Sequence, residues 1–138
     1  MTDAGLLAEA TVWAATTPAC ADQAFNIANG DLFRWDDLWP RLARFFDLEV
    51  AAPLTMSLTD VMADKATTWD RVVAEHGLAP TPFAEVSSWP FGDFVFSWDH
   101  DVFADGTKAR RLGFHRFVDT EEMFVEIFTD LRRRRIIP

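Results

Sequence analysis

The chain has 138 residues, 49% of them hydrophobic and 25% charged, with a formal net charge of −9 at pH 7. That is the size of one ordinary domain with a single core, and the balance excludes a disordered or collagen-like polypeptide. The acidic surplus argues against generic nucleic-acid binding, which depends on neutralising phosphates, and no apolar run approaches the roughly 18–20 residues of a membrane-spanning helix.

No secretory leader is readable at the N-terminus, which has neither a basic flank nor a long apolar core. The single cysteine, Cys20, precludes an internal disulfide framework and suits a reducing cytoplasm. There is no tyrosine, and Lys65 and Lys108 are the only lysines, against thirteen Phe and six Trp. Chemistry that relies on a tyrosine hydroxyl therefore has no source in this chain, whereas an aromatic-lined pocket or interface has many.

In chain order, Asp3 to about Thr16 reads as a helix with Leu6, Ala10, Trp13 and Ala14 on one face, ended by Pro18. Gln23 to Ala28 reads as a short buried strand broken by Asn29-Gly30. Trp35 to Asp47 is helical, striped by Leu38, Trp39, Leu42, Phe45 and Phe46, with Pro40 near the end of its first turn. Glu49 to Met56 offers a weak edge strand, interrupted by Pro53. Ser57, with Asp60 three residues on, caps a long helical pattern through Leu58, Val61, Met62, Trp69, Val72 and Val73 to Gly77. Ala66 to Trp69 is its weakest stretch and the expected place for a break. Short helices follow near Phe83 to Ser88, through Phe94 and Phe96, and in "DGTKARRLGF", closed by Gly113. Asp119 caps a final helix with Glu122 at its third position and a stripe of Met123, Phe124, Ile127, Phe128 and Leu131. The "RRRR" run, Arg132 to Arg135, reads as a cationic end that complements the negative end of that helix, in preference to a nucleic-acid or anion patch.

Four places invite a functional reading. "AFNIANGDLFRW" has the outline of a phosphate-binding strand–turn–helix, but it offers one glycine where a dinucleotide fingerprint needs three. Asp31 would also repel a phosphate, and Arg34 alone is weak, so a plain turn is the better reading. "WDHDVFAD" gathers Asp99, His100, Asp101 and Asp105, but adjacent residues rarely point at one metal centre, and an acidic turn with Asp105 near a helix cap is favoured. Cys20, His76 and His115 form no nucleophile elbow or triad spacing. "SSWPFGDFVF" packs Trp89, Phe91, Phe94 and Phe96 around Pro90 and Gly92. On the residues alone two readings stay open, hydrophobic core and the apolar wall of a ligand site.

The order of "AFNIANGDLFRWDDLW", "LTDVMADKATTWDRVVAEHGLAPTPFAEVSSWPFGDFVF" and "TKARRLGFHRFVDTEEMFVEIFTDLRRRRIIP" resembles the C-terminal part of one family. That family is the progesterone 5β-reductase and iridoid synthase-like group of extended short-chain dehydrogenase/reductases, and the similarity runs over nearly the whole chain from Asp3. It implies an α+β, mostly helical chain with one or two short strands, the substrate-side C-terminal lobe of an extended Rossmann-fold reductase. Residues 1–138 are then a single domain or domain fragment without the Rossmann half. Its NADPH loop and catalytic tyrosine and lysine have no counterparts here.

The resemblance places Phe91 among the residues lining a pocket for an enone or other small apolar carbonyl substrate, with Trp89 and Phe94 as weaker members. Pro90 departs from the aromatic usual in the family at its position. By itself the chain is expected to bind no cofactor and reduce nothing, NADPH belonging to complete members. The alternative is a free-standing binding module whose apolar face is covered by self-association or by a partner chain carrying the Rossmann half. Neither reading calls for nucleic acid or a membrane.

Overall fold

The computed structural model describes residues 1–138. Its elements are helical: α1 (Ala4–Thr16), a 3-10 turn (Pro18–Cys20), α2 (Trp35–Phe45), α3 (Leu58–Met62), α4 (Ala66–His76), α5 (Phe83–Val86), α6 (Trp89–Phe96), α7 (Thr107–Arg111) and α8 (Thr120–Arg133). Residue contacts group these into two compact units, Met1–Val50 with Val102–Glu126, and Ala51–Asp101 with Ile127–Pro138.

The helix ends follow from local chemistry. The Asp3 carboxylate accepts the Leu6 N–H at 2.7 Å and opens α1, and Asp119 accepts the Glu122 N–H at 2.9 Å at the head of α8. Pro40 lies inside α2, which forgoes one backbone bond there. The pattern from Ser57 to Gly77 splits at Ala63–Lys65, just before the expected break. Thr67 and Thr68 fall in the first turn of α4, where they cost little because the helical ladder has not yet closed. α4 and α7 end on Gly77 and Gly113, both at positive φ. α8 ends the same way without a glycine. Arg135 takes φ 57°, its N–H bonds to Arg132 O at 2.9 Å, and the Ile136 N–H reaches Leu131 O at 2.8 Å.

Neither expected strand forms. Gln23–Ala28 joins no strand ladder, and Glu49–Met56 is irregular. The one β contact is an isolated parallel bridge between Gly30 and Val118. An extended segment becomes a strand only beside another, and this chain folds none alongside. The mostly helical expectation holds, and its α+β part, one or two short strands, is corrected to a single bridge.

In the first unit, Leu6, Ala10, Ala109 and Phe114 form a buried core, with Trp13, Phe25, Ile27 and Val118 packed against it. Trp13 meets Phe25 edge-on at 5.0 Å and Phe114 at 5.1 Å. Beside this core lies a polar knot around Asn29, which is 1% exposed, and Thr120, which is fully buried. Asn29 Oδ1 accepts the Asp3 N–H at 2.6 Å, and its Nδ2 donates to Thr120 Oγ1 at 3.0 Å. The Asn29 N–H donates to Met1 O at 3.1 Å, and its carbonyl accepts the Val118 N–H at 2.9 Å. Asp31 completes the knot by accepting from Thr120 N at 2.7 Å and Thr120 Oγ1 at 2.8 Å. The N-terminus, the Asn29-Gly30-Asp31 turn and the head of α8 are thus joined by hydrogen bonds with no buried side-chain polar atom left over.

The second unit has no fully buried side chain. Polar clamps do part of the work of a core: Trp69 Nε1 donates to Thr81 O at 2.7 Å, and the Ala79 N–H donates to Arg135 O at 2.7 Å.

Two measurements check these accounts. Thr120→Val keeps the volume but strips Asp31 and Asn29 of a shared partner, so urea unfolding should show a loss of about 1–3 kcal/mol. Arg135→Gly relieves the left-handed backbone at the end of α8 and should raise stability by about 0.5–1 kcal/mol.

Candidate functional site

The aromatic segment singled out in the sequence becomes α6, a helix that begins at Trp89 with Pro90 in its first turn and ends at Ser97, whose hydroxyl donates to Phe94 O at 2.9 Å. At about 100° per residue, positions 89, 92, 93 and 96 share one side of such a helix, and 91, 94 and 98 share the other.

The first side faces α3. A Cβ on Gly92 would lie 2.8 Å from Leu58 Cδ1, so only a glycine lets the helices approach this closely without repacking. Next to it, Asp93 caps α3 from outside: Oδ1 accepts the Leu58 N–H at 2.5 Å, and Oδ2 accepts the Thr59 N–H at 3.0 Å and the Thr59 hydroxyl at 2.7 Å. The Ser57 hydroxyl adds a longer contact to Oδ2 at 3.4 Å, while itself accepting the Asp60 N–H at 3.2 Å. The Thr59 hydroxyl, then the Thr59 and Leu58 N–H groups, hold the Asp93 carboxyl below the usual carboxylate range.

The opposite side is open. Phe91 is 64% exposed and Phe94 56%, with their rings 6.4 Å apart. Phe94 meets Trp98 edge-on at 5.3 Å, and Trp98 stacks on His100 at 5.9 Å. Phe91 and Phe94 are therefore brought together as predicted residues of one surface. Trp89 is not: it turns to the other side and packs on Phe83 at 5.8 Å. Two members of the arrangement were missed from sequence. Trp98 could have been found as the residue four beyond Phe94, and Asp93 as the one charge inside an apolar helix.

The other candidates have structural roles. Asp31 is occupied by Thr120, and a Cβ on Gly30 (φ 104°) would lie 3.0 Å from Phe117 and 3.1 Å from Arg110. The turn is filled by the chain's own side chains. Asp105 accepts the Thr107 N–H at 2.8 Å at the head of α7, and Cys20 is buried. Two depressions lie in the first unit and neither includes α6. One, of about 520 Å³, is apolar and open, lined by Ala8, Val12, Trp13 and Phe114. The other, of about 180 Å³, is polar, and in it Arg41 pairs with Glu121 at 2.7 Å.

No family model matches the chain. Curated relatives do. It is 37% identical to (S)-8-oxocitronellyl enol synthase of Antirrhinum majus, over 99% of this chain and 36% of that protein. It is 36% identical to (S)-8-oxocitronellyl enol synthase ISY2 of Nepeta racemosa over 99% of this chain and 35% of that protein. It is 34% identical to the (S)-8-oxocitronellyl enol synthase of Catharanthus roseus over 99% and 36%. These are enzymes named for one reaction, and the chain spans about a third of their length. The chain belongs to this iridoid synthase family, as a counterpart of its C-terminal part.

The depressed Asp93 carboxyl has a consequence in acid. A group whose folded-state pKa is lowered contributes fully above the unfolded value of about 3.9 and loses that contribution as pH falls through the folded value. The stability difference between wild type and Asp93→Asn should therefore be flat from pH 5 to 8 and shrink below about pH 4. Urea titrations of the two proteins at each pH measure it, and the difference cancels the other acid-labile caps.

Proposed function

We propose that the chain is the substrate-side segment of an NADPH-dependent oxidoreductase acting on enone or carbonyl substrates, and that Phe91 and Phe94 supply an apolar wall against that substrate. The observation that carries this reading is the open stripe itself, two large rings held side by side on the solvent face of α6 in a chain of this family. Such a wall excludes water and fixes an apolar skeleton by shape, leaving the reactive carbonyl to groups elsewhere. Trp89 supports the wall from behind, through Phe83, rather than touching substrate.

The hydride and the proton lie outside this chain. It has no tyrosine to polarise a carbonyl oxygen, and its one glycine turn of the right outline is filled by its own side chains. NADPH and the proton donor belong to a Rossmann domain, as a partner chain or as the remainder of a complete enzyme. A cytoplasmic setting fits the single cysteine.

The first test is binding without turnover. Citral, an open-chain apolar enal, should quench tryptophan fluorescence of the purified chain, and Phe91→Ala should weaken that binding about tenfold, the worth of part of a buried phenyl ring. NADPH should not be consumed. NADPH oxidation above background would overturn the division of labour, and unaltered binding by Phe91→Ala would overturn the wall.

A second reading, a free-standing module that self-associates, is favoured by α1. That helix is apolar or small on nearly every side, and Leu7 and Val12 stand 50% and 64% exposed on it. A helix apolar all round is ordinarily covered. Light scattering that gives a stable dimer would favour this reading, and a monodisperse monomer would count against it.

A further inference from the structure

Resting on the reading of Phe91 and Phe94 as a substrate wall, we propose that Asp93 is the positioning residue of that wall: its bonds to the head of α3 fix the rotation of α6 and so aim the two rings.

Three observations meet at this residue. Asp93 is on the side of α6 opposite Phe91 and Phe94, so it can reach the substrate only through the helix it holds. It accepts four hydrogen bonds from three consecutive residues of another element, Ser57, Leu58 and Thr59. The helix it anchors buries no residue fully, and Ser88 at its head makes no side-chain cap, so the bonds of Asp93 weigh heavily in setting its roll. Gly92 adds contact with Leu58 but no directional bond. A carboxylate gripped by several donors resists rotation where an apolar contact slides.

The geometry also says what losing the grip would do. With Asn at position 93, one side-chain atom facing Leu58 N and Thr59 N becomes a donor itself. One of those N–H groups then faces another N–H, and α6 rolls or frays. The ring tips of Phe91 and Phe94 stand farthest from the helix axis, so a small roll moves them most. Thr59→Val reaches the same clamp from the other side, removing the 2.7 Å hydroxyl bond while leaving α6 unchanged in sequence.

The experiment uses the whole chain labelled with 5-fluorotryptophan and read by 19F NMR, with the Trp98 resonance assigned by Trp98→Phe. Trp98 touches Phe94 and so reports the aim of the stripe, while Trp13 belongs to the core of the other unit and reports folding. In Asp93→Asn the Trp98 line should shift or broaden with the Trp13 line unmoved, and citral affinity should fall about tenfold or more. Thr59→Val should move both in the same direction by less, and Asp93→Glu, which keeps the carboxylate, should recover part of the affinity. A Trp98 line unchanged in Asp93→Asn overturns the proposal, whether or not citral binds. A shifted Trp98 line with undiminished citral binding also overturns it, since the stripe would then move without consequence. Failure of the wild-type chain to bind citral is a separate result: it removes the substrate wall on which the positioning role rests, and with it the role. The ring-aiming clamp would still be read from Trp98 alone.

Discussion

One buried amide organises the larger share of the first unit. Asn29 sits almost out of reach of solvent, and its side chain and backbone satisfy partners from two remote stretches: Met1 and Asp3 at the N-terminus, and Val118 and Thr120 at the head of α8. A group that polar is tolerated in a core only when its hydrogen bonds are met, so each of those stretches is held where it can meet them. Asp31 then converts the turn into a cap for α8, across 89 positions of sequence. Gly30 supplies the positive φ between them and the space that Phe117 and Arg110 fill. The Asn-Gly-Asp sequence is thus a structural unit in which each member has a different physical task.

Asp93 repeats the device in the second unit. Both carboxylates cap a helix that is not their own, and both sit beside a glycine that permits close approach. Part of the chain's acidic surplus is accordingly committed to backbone N–H groups rather than to solvent or catalysis. This explains how short acidic motifs can mark a fold without marking chemistry: the charge is needed because a charged acceptor bonds N–H groups more strongly than a neutral one.

Legibility in the sequence followed the range of the interaction. Helices α2, α4 and α8 are readable because their apolar spacing, Gly77 and Asp119 are local signals, and α1 because Asp3 opens it and Pro18 follows its end. The end of α8 is not, since Arg135 in the left-handed region carries no warning of it. The segment around Phe25 misleads for a related reason. Its composition is that of a strand, but a strand is made by its neighbours, and what Phe25 and Ile27 find here is a helical core. At the candidate site, helical period places Phe91 and Phe94 together and sets Trp89 on the far side. The same period would have included Trp98. The partners of Asp93 lie 34 to 36 residues away, and no local pattern pairs them.

The exposed rings of α6 are an outcome of that long-range pairing. A helix of eight residues is not stable alone in water, and one that buries no side chain gains little from packing. Its persistence rests on contacts made by its inner side: Gly92 against Leu58, Trp89 against Phe83, and Asp93 on α3. Because those contacts lie on one side and the bonds of Asp93 among them are directional, the other side is left to carry Phe91 and Phe94 outward without their collapsing into a core. A hydrophobic core would have consumed the rings it was built from. A polar clamp leaves them free to meet something else.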